Sequence, residues 1–329
     1  MKIAKRMENL SPSVTMAITA LARELKAQGK DILSFSAGEP DFNTPEEIKQ
    51  AAIKAINDGH TKYTAVEGIT ETKQAIINKL KRDHGLNYEL GDIVISNGAK
   101  HSLFNLFQVL IEAGDEVIIP APYWVTYPEQ VKYSDGIPVF IETDDSTAFK
   151  ITAEQLKAAI TPKTKILLLN TPSNPTGGVY SKEELTALGK VLEGTDILVL
   201  SDEMYEKIMY EGKEFTAVAS VSEDMYQRTV TINGISKAVA MTGWRYGYIA
   251  SANKTLVKSM LKLQGQVTSN VNSVTLQAAI TALDGSADAD IEMMRVEFEK
   301  RRDVAIGQFN DIEGISCVKP EGAFYLFVN

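Results

Sequence analysis

The chain has 329 residues, 44% of them hydrophobic and 23% charged, enough for two domains or one large domain with an appendage. A formal net charge of -9 argues against nucleic acid or an anionic membrane surface as a partner. The single cysteine, Cys317, excludes an intrachain disulfide, and the default reading is a cytoplasmic protein.

In chain order, "MKIAKRMENLSPSVTMAITALARELKAQGK" reads as an amphipathic helix rather than a signal peptide. No run of about 18 apolar residues follows that would span a membrane. From residue 90 onward, short apolar strands alternate with longer helical stretches. Strands are expected at 92–97, 116–121, 137–142, 165–170, 196–201, 229–234 and 246–251. Amphipathic runs such as "SLFNLFQVLIEAG" and "SKEELTALGKVLEG" lie between them. This alternation predicts an α/β fold, a mostly parallel seven-stranded sheet with helices on both faces.

Polar clusters follow the strands. "SNGAK" ends the first and opens a helix, where free N–H groups and the helix dipole suit a phosphate. "NTPSNPTGG", with Asn170 and Asn174, follows the fourth, and "SDEMYE", with Asp202 and Tyr205, the fifth. "SKAVAMTGWR", with Ser236, Lys237 and Arg245, follows the sixth. Ligands of open α/β sheets bind beyond the carboxyl ends of the strands, so the four clusters predict one shared site. Phosphate-loop and dinucleotide glycine motifs are missing, as is a GxSxG elbow. His60, His84 and His101 have no ligand spacing with Cys317, so no metal is expected. A lysine nucleophile, an acid, an arginine and a phosphate cradle fit pyridoxal 5'-phosphate.

The ordered set "LSPSVTMAITA", "SAGEPDF", "YTAVEGI", "NGAKHSLFNLF", "PAPYWVTYPE", "NTPSNPTGG", "SDEMYE", "SKAVAMTGWRYGY" and "EGAFYLFVN" resembles the class I aminotransferases of the pyridoxal-phosphate fold-type I group, nearest the bacterial aspartate branch. The resemblance implies Lys237 as the covalent lysine and proton shuttle, with Asp202 on the pyridine nitrogen. It implies Asn174 and Tyr205 on the ring oxygen and Trp124 stacked on the ring. The N–H groups of Ala99 and Lys100, with Arg245 and Ser236, would hold the phosphate. Tyr63 would reach the site of a second subunit, so a homodimer with shared sites is expected. Gly38 would offer its N–H to the substrate carboxylate, and Lys100, helped by Ser13 and Thr15, would read the side-chain carboxylate of aspartate. The implied reaction moves the amino group of L-aspartate to 2-oxoglutarate by a ping-pong mechanism. An aromatic, alanine or prephenate preference is the alternative within the fold, as is a lyase or synthase; a non-catalytic cofactor-binding protein is the alternative outside it.

The expected organisation is an N-terminal arm with part of a small domain (1–45), a large cofactor-binding domain (46–285) and a small α+β domain (286–329). Two departures from the family pattern stand out. Tyr246 replaces an aliphatic residue and needs housing. The family pattern continues past "GAFYLF" with the arginine that clamps the substrate α-carboxylate. The small domain is therefore expected to be incomplete, with "AFYLFVN" an exposed apolar edge. Either the sequence is part of a full aminotransferase, or the chain ends there and is impaired.

Overall fold

The computed structural model describes residues 1–35 and 38–329. Seven strands are present: β1 (Ile93–Ser96), β2 (Glu116–Ala121), β3 (Ile137–Glu142), β4 (Thr164–Asn170), β5 (Leu198–Asp202), β6 (Thr229–Gly234) and β7 (Gly247–Ala250). The helices are α1 (Val14–Ala27), α2 (Glu46–Asn57), α3 (Thr70–His84), α4 (Ala99–Leu110), α5 (Thr126–Tyr133), α6 (Ala153–Ala159), α7 (Lys182–Leu192), α8 (Glu223–Arg228), α9 (Lys254–Val267), α10 (Ser273–Leu283) and α11 (Asp288–Asn310).

The strands form one sheet in the order β1-β7-β6-β5-β4-β2-β3. All neighbours run parallel except β7, which lies antiparallel between β1 and β6. Its continuous apolar strands follow from burial on both faces. Along β4, Ile166 and Leu168 pack with α4, α5 and α9, while Leu167 and Leu169 face α6, α7 and α8. Beyond β7, α2, α3 and α10 complete the second layer around Ile93, Ile95 and Tyr248. Tyr246 is fully buried in that cluster, which houses the larger ring.

The chain after α11 corrects one expectation. "AFYLFVN" is not an exposed edge over most of its length: Ala323 is buried and Phe324 to Phe327 are half-buried, with only Val328 and Asn329 exposed. Phe324 stacks on Phe298 at 5.1 Å, and Phe327 meets Phe149 edge-on at 5.2 Å. Among the described residues, strand pairing here is limited to the single bridges Met209–Gly322 and Cys317–Val328, and backbone hydrogen bonds and aromatic packing together hold the segment.

Candidate active site

Register brings the polar clusters to one edge. Asn170 pairs with Asp202, Asp202 with Ile232, and Gly234 with Gly247, which pairs in turn with Ser96. Two of these positions require glycine for space. A Cβ on Gly247 would lie 2.3 Å from the amide of Ala99, and one on Gly234 would lie 2.7 Å from the Tyr246 carbonyl. The missing side chains let the N-terminus of α4 settle directly on the strand ends.

Gly98 precedes α4 with a left-handed φ of 88°, which favours glycine. A Cβ there would stand 2.4 Å from Nη2 of Arg245, so the guanidinium lies against the helix start. Arg245 is itself left-handed, and its Nη1 donates to the Thr242 carbonyl at 2.9 Å. Asn97, Trp244, Arg245 and Asn272 line an open cleft at this point. Behind it, the buried Gln264 of α9 ties β1 to α4. Its amide nitrogen donates to the carbonyls of Val66 (2.9 Å) and Ile95 (2.8 Å), and its oxygen accepts from Ser96 Oγ (2.9 Å) and Asn105 Nδ2 (3.2 Å).

Asp202 ends β5 with 5% of its surface exposed. Burial pushes its carboxyl up to about 6, against the hydrogen bonds it receives from Tyr127 and the Met204 amide and the charge of Lys237. Tyr127 Oη donates to Oδ2 at 2.8 Å, and the Met204 amide donates to Oδ1 at 3.3 Å. Lys237 is half-buried; its Nζ donates to the Gly38 carbonyl and lies 5.9 Å from the Tyr205 ring centroid. Burial pulls the amine down to about 8, with Arg245 and Lys100 adding to the effect and Glu39 and Asp202 opposing it.

Asn170 donates from Nδ2 to the Asp202 carbonyl at 2.9 Å and accepts from the Asn174 amide at 2.7 Å, which fixes the turn. Asn174 and Tyr205 converge on the hydroxyl of Tyr325, at 3.4 Å and 2.5 Å. Lys100 Nζ lies 4.8 Å from the ring centroid of Trp124, and burial, then Arg245, lowers its amine. Ser236 is buried beside Lys237, and its carbonyl accepts from the Met241 amide at 3.1 Å.

Thus Asp202, Lys237, Asn174, Tyr205 and Gly38 come together, as do Ala99, Lys100, Trp124 and Arg245. Gly38 presents its carbonyl to Lys237. Tyr63 is 92% exposed. Ser13 caps α1 by accepting from the Met16 amide at 3.4 Å, and Thr15 is exposed on the same helix. Sequence reasoning assigned no role to Tyr127, Gln264 or Tyr325. Tyr127 and Tyr325 lie inside quoted motifs, but an aromatic at helical or strand spacing reads equally as core.

Beneath this site a second charged cluster is buried. Glu206 accepts from Lys79 and lies 2.5 Å from His84 Nε2, and Lys207 pairs with Asp83 at 2.8 Å. Against the penalty of burial, Lys79 and His84 hold the Glu206 carboxyl low. Asp83, His84 and Glu206 bring ligand atoms within 4.8 Å of one another, but a metal there would have to displace Lys79.

The residues fit pyridoxal phosphate on two structural grounds. One is a helix start with a guanidinium laid on it, which a single Cβ at Gly98 would disturb. The other is a donor set of one depressed amine and one buried carboxylate on a common edge. Among the described residues no helix is long and apolar enough to cross a membrane.

Comparison with known proteins agrees with this geometry. The family model "Aminotransferase class I and II" matches residues 30–329. An aspartate aminotransferase of Geobacillus stearothermophilus is 52% identical over all of this chain and 83% of its own length. An aspartate/prephenate aminotransferase of Nitrosomonas europaea is 49% identical, again over 100% of this chain and 83% of its own. The aspartate aminotransferase structure from Rhizobium meliloti superposes with a TM-score of 0.96 at 44% identity, covering 100% of this chain and 82% of that one. The Thermus thermophilus enzyme with maleate gives 0.96 at 40% identity, over 100% and 85%. The chain belongs to the class I and II aminotransferases, with the fold of the aspartate aminotransferases.

Proposed function

We propose that the protein is a pyridoxal-phosphate-dependent aspartate aminotransferase that passes the amino group of L-aspartate to 2-oxoglutarate. The observation that carries this reading is the placing of a buried carboxylate, Asp202, at the end of β5 and of an amine drawn down to about 8, Lys237, just past the end of the adjacent β6. When bound, the cofactor would supply an electron sink for the substrate α-carbon.

The chain's own residues divide the remaining work. Lys237, close to half deprotonated near pH 8, can take and return a proton at the α-carbon. Asp202 would pair with the ring nitrogen, and Tyr127 and the Met204 amide keep that carboxylate ionised against its burial. Asn174 and Tyr205 would hold the ring oxygen, and Trp124 would cover one ring face. The first N–H groups of α4, at Ala99 and Lys100, with Arg245 and Ser236, would take the phosphate. The Gly38 N–H would meet the substrate α-carboxylate and Lys100 the side-chain carboxylate.

A cytoplasmic homodimer with shared sites is part of the proposal; no compartment-specific disulfide is available to a chain with one cysteine. Two features support the dimer. All residues of α1 are exposed or half-buried, leaving Val14, Met16, Ile18 and Leu21 uncovered, and Tyr63 projects from its own subunit. A prephenate acceptor is the second reading, favoured by the name of the Nitrosomonas relative.

The test is to load the protein with pyridoxal phosphate, trap the adduct with borohydride and map the peptide. A separate loaded sample then receives aspartate. A label on Lys237 and an aspartate-driven spectral change to the amine form of the cofactor are expected. A folded protein labelled elsewhere sinks the assignment, and parallel assays with 2-oxoglutarate and prephenate rank the acceptors.

A further inference from the structure

Among the titratable groups at the site, the half-buried Tyr325 has no task in the chemistry above. Tyr325 stands at its centre, and its hydroxyl is 2.5 Å from Tyr205 Oη and 3.4 Å from Asn174 Nδ2. These are the two side chains proposed to hold the cofactor's ring oxygen. The same hydroxyl would lie 2.9 Å from a Cβ on Gly38, so it also occupies the space in front of the loop proposed to receive the substrate carboxylate.

The backbone that delivers this phenol is pinned on both sides. The amides of Glu321 and Gly322 each donate to the Gly177 carbonyl at 3.0 Å, and the Ala323 amide donates to the Ile208 carbonyl at 2.9 Å. A Cβ on Gly322 would meet the Ile208 carbonyl and Pro172 at 2.8 Å, so this backbone sits too close for any side chain. Downstream, the Asn329 amide donates to the Ser316 carbonyl at 2.8 Å. With both flanks held, the element free to yield is the Tyr325 side chain, whose ring rests on Phe324 (4.9 Å) and edge-on to Tyr205 (5.5 Å).

We propose that Tyr325 is a positioning residue whose hydroxyl competes with the cofactor's ring oxygen for Tyr205 and Asn174, and must rotate away before the ring can seat. The inference rests on the cofactor reading given above. Burial holds the Tyr325 phenol up to about 12, so it is a neutral partner at physiological pH. An ionised ring oxygen forms charge-assisted hydrogen bonds, roughly twice as strong as neutral ones, and wins the exchange. Tyr325 therefore keeps two buried polar groups satisfied and aimed, at the expense of some cofactor affinity. The arrangement predicts that removing its hydroxyl tightens binding, the reverse of what removing a cofactor contact does.

The probe is pyridoxamine 5'-phosphate, which carries the ring oxygen but forms no covalent bond with Lys237, titrated by fluorescence into the cofactor-stripped protein. One net hydrogen bond corresponds to a gain of roughly two- to tenfold in affinity for Tyr325→Phe. Tyr325→Leu, which also lacks the hydroxyl, must move affinity in the same direction, so the result does not hang on one variant. In a Tyr205→Phe background the gain from Tyr325→Phe should shrink to within about twofold, because the competed partner is gone. Unchanged or weaker binding by Tyr325→Phe, with the parent protein binding normally, overturns this proposal and leaves the cofactor reading standing. Failure of the parent protein to bind either the amine or the aldehyde form of the cofactor sinks both.

Discussion

Tyr127 Oη donates a 2.8 Å hydrogen bond to Oδ2 of Asp202, from the first turn of α5 to the last residue of β5. It is a leading influence opposing the burial that drives the Asp202 carboxyl up to about 6. Tyr127→Phe keeps the ring and deletes the donor, at about 1–3 kcal/mol for a buried charged acceptor. The carboxyl should rise further, and the acid limb of the kcat profile should move to higher pH by one unit or more. Cofactor retention, read by absorbance after gel filtration, should change far less.

Lys237 offers a pH test that needs no turnover. With its amine drawn down to about 8 from an ordinary 10.5, the neutral, nucleophilic fraction rises as pH increases through 8 and levels off above it. The rate of acylation of Lys237 by a soluble anhydride, mapped by mass spectrometry from pH 6 to 10, should plateau near pH 9. A rate still climbing at pH 10 would place the amine in ordinary solvent.

Gly98→Ala sets a methyl group 2.4 Å from the Arg245 guanidinium at a backbone φ of 88°. Both effects push the arginine off the start of α4. Affinity for pyridoxal 5'-phosphate should fall about 10- to 100-fold, in line with one lost charge-assisted hydrogen bond. Affinity for pyridoxal, which lacks the phosphate, should change little. Equal losses for both ligands would refute a phosphate role for this corner.

Glu203, next to Asp202, is fully buried, and burial pushes its carboxyl up to about 7, with Glu206 adding to the shift and His84 opposing it. A folded-state value above the unfolded 4.5 means the native protein binds the extra proton between those pH values. Stability from this group is present below pH 4.5 and is lost as pH rises towards 7. Glu203→Gln should remove that dependence and stabilise the protein at pH 8 by on the order of 1–3 kcal/mol, measured by urea unfolding.

Lys100 Nζ lies 4.8 Å from the ring centroid of Trp124, and its proposed role on the side-chain carboxylate has a direct test. Lys100→Ala should raise KM for aspartate about 10- to 100-fold, the value of one charged hydrogen bond, and leave alanine nearly untouched. A uniform loss across both amino acids would make Lys100 a phosphate residue only.

The sheet was legible because period-two burial on both faces leaves an unbroken apolar signature. β2, β3 and β6 fall on the expected residues, and β5 shows where pattern fails. Expected at 196–201, it begins at Leu198, because Arg228 takes the carbonyls of Thr195 (3.0 Å) and Ile197 (2.8 Å). It extends to Asp202, which pairs with Ile232. The gathering of the polar clusters at one edge was legible from motif order, since Asn170 and Asp202 close their strands and Ala99 and Lys237 follow theirs within three residues. Tyr127 and Tyr325 were not: their roles depend on which hydroxyl meets which partner across 75 and 120 positions of chain. The packing of "AFYLFVN" was likewise hidden, because its partners, Phe298 and Phe149, are remote in sequence.

Gln264 saturates its amide: both N–H donors and both lone pairs of the oxygen are committed, to four groups on three separate stretches of chain. No other side chain has that valence pattern at that length. Glutamate would turn two donors into acceptors facing the Val66 and Ile95 carbonyls, and leucine would strand all four groups. The aim of the α4 terminus is therefore written partly into α9, a helix that supplies none of the proposed ligand contacts. A redesign that repacked α9 for stability alone would detune the anion corner while leaving every residue lining it in place.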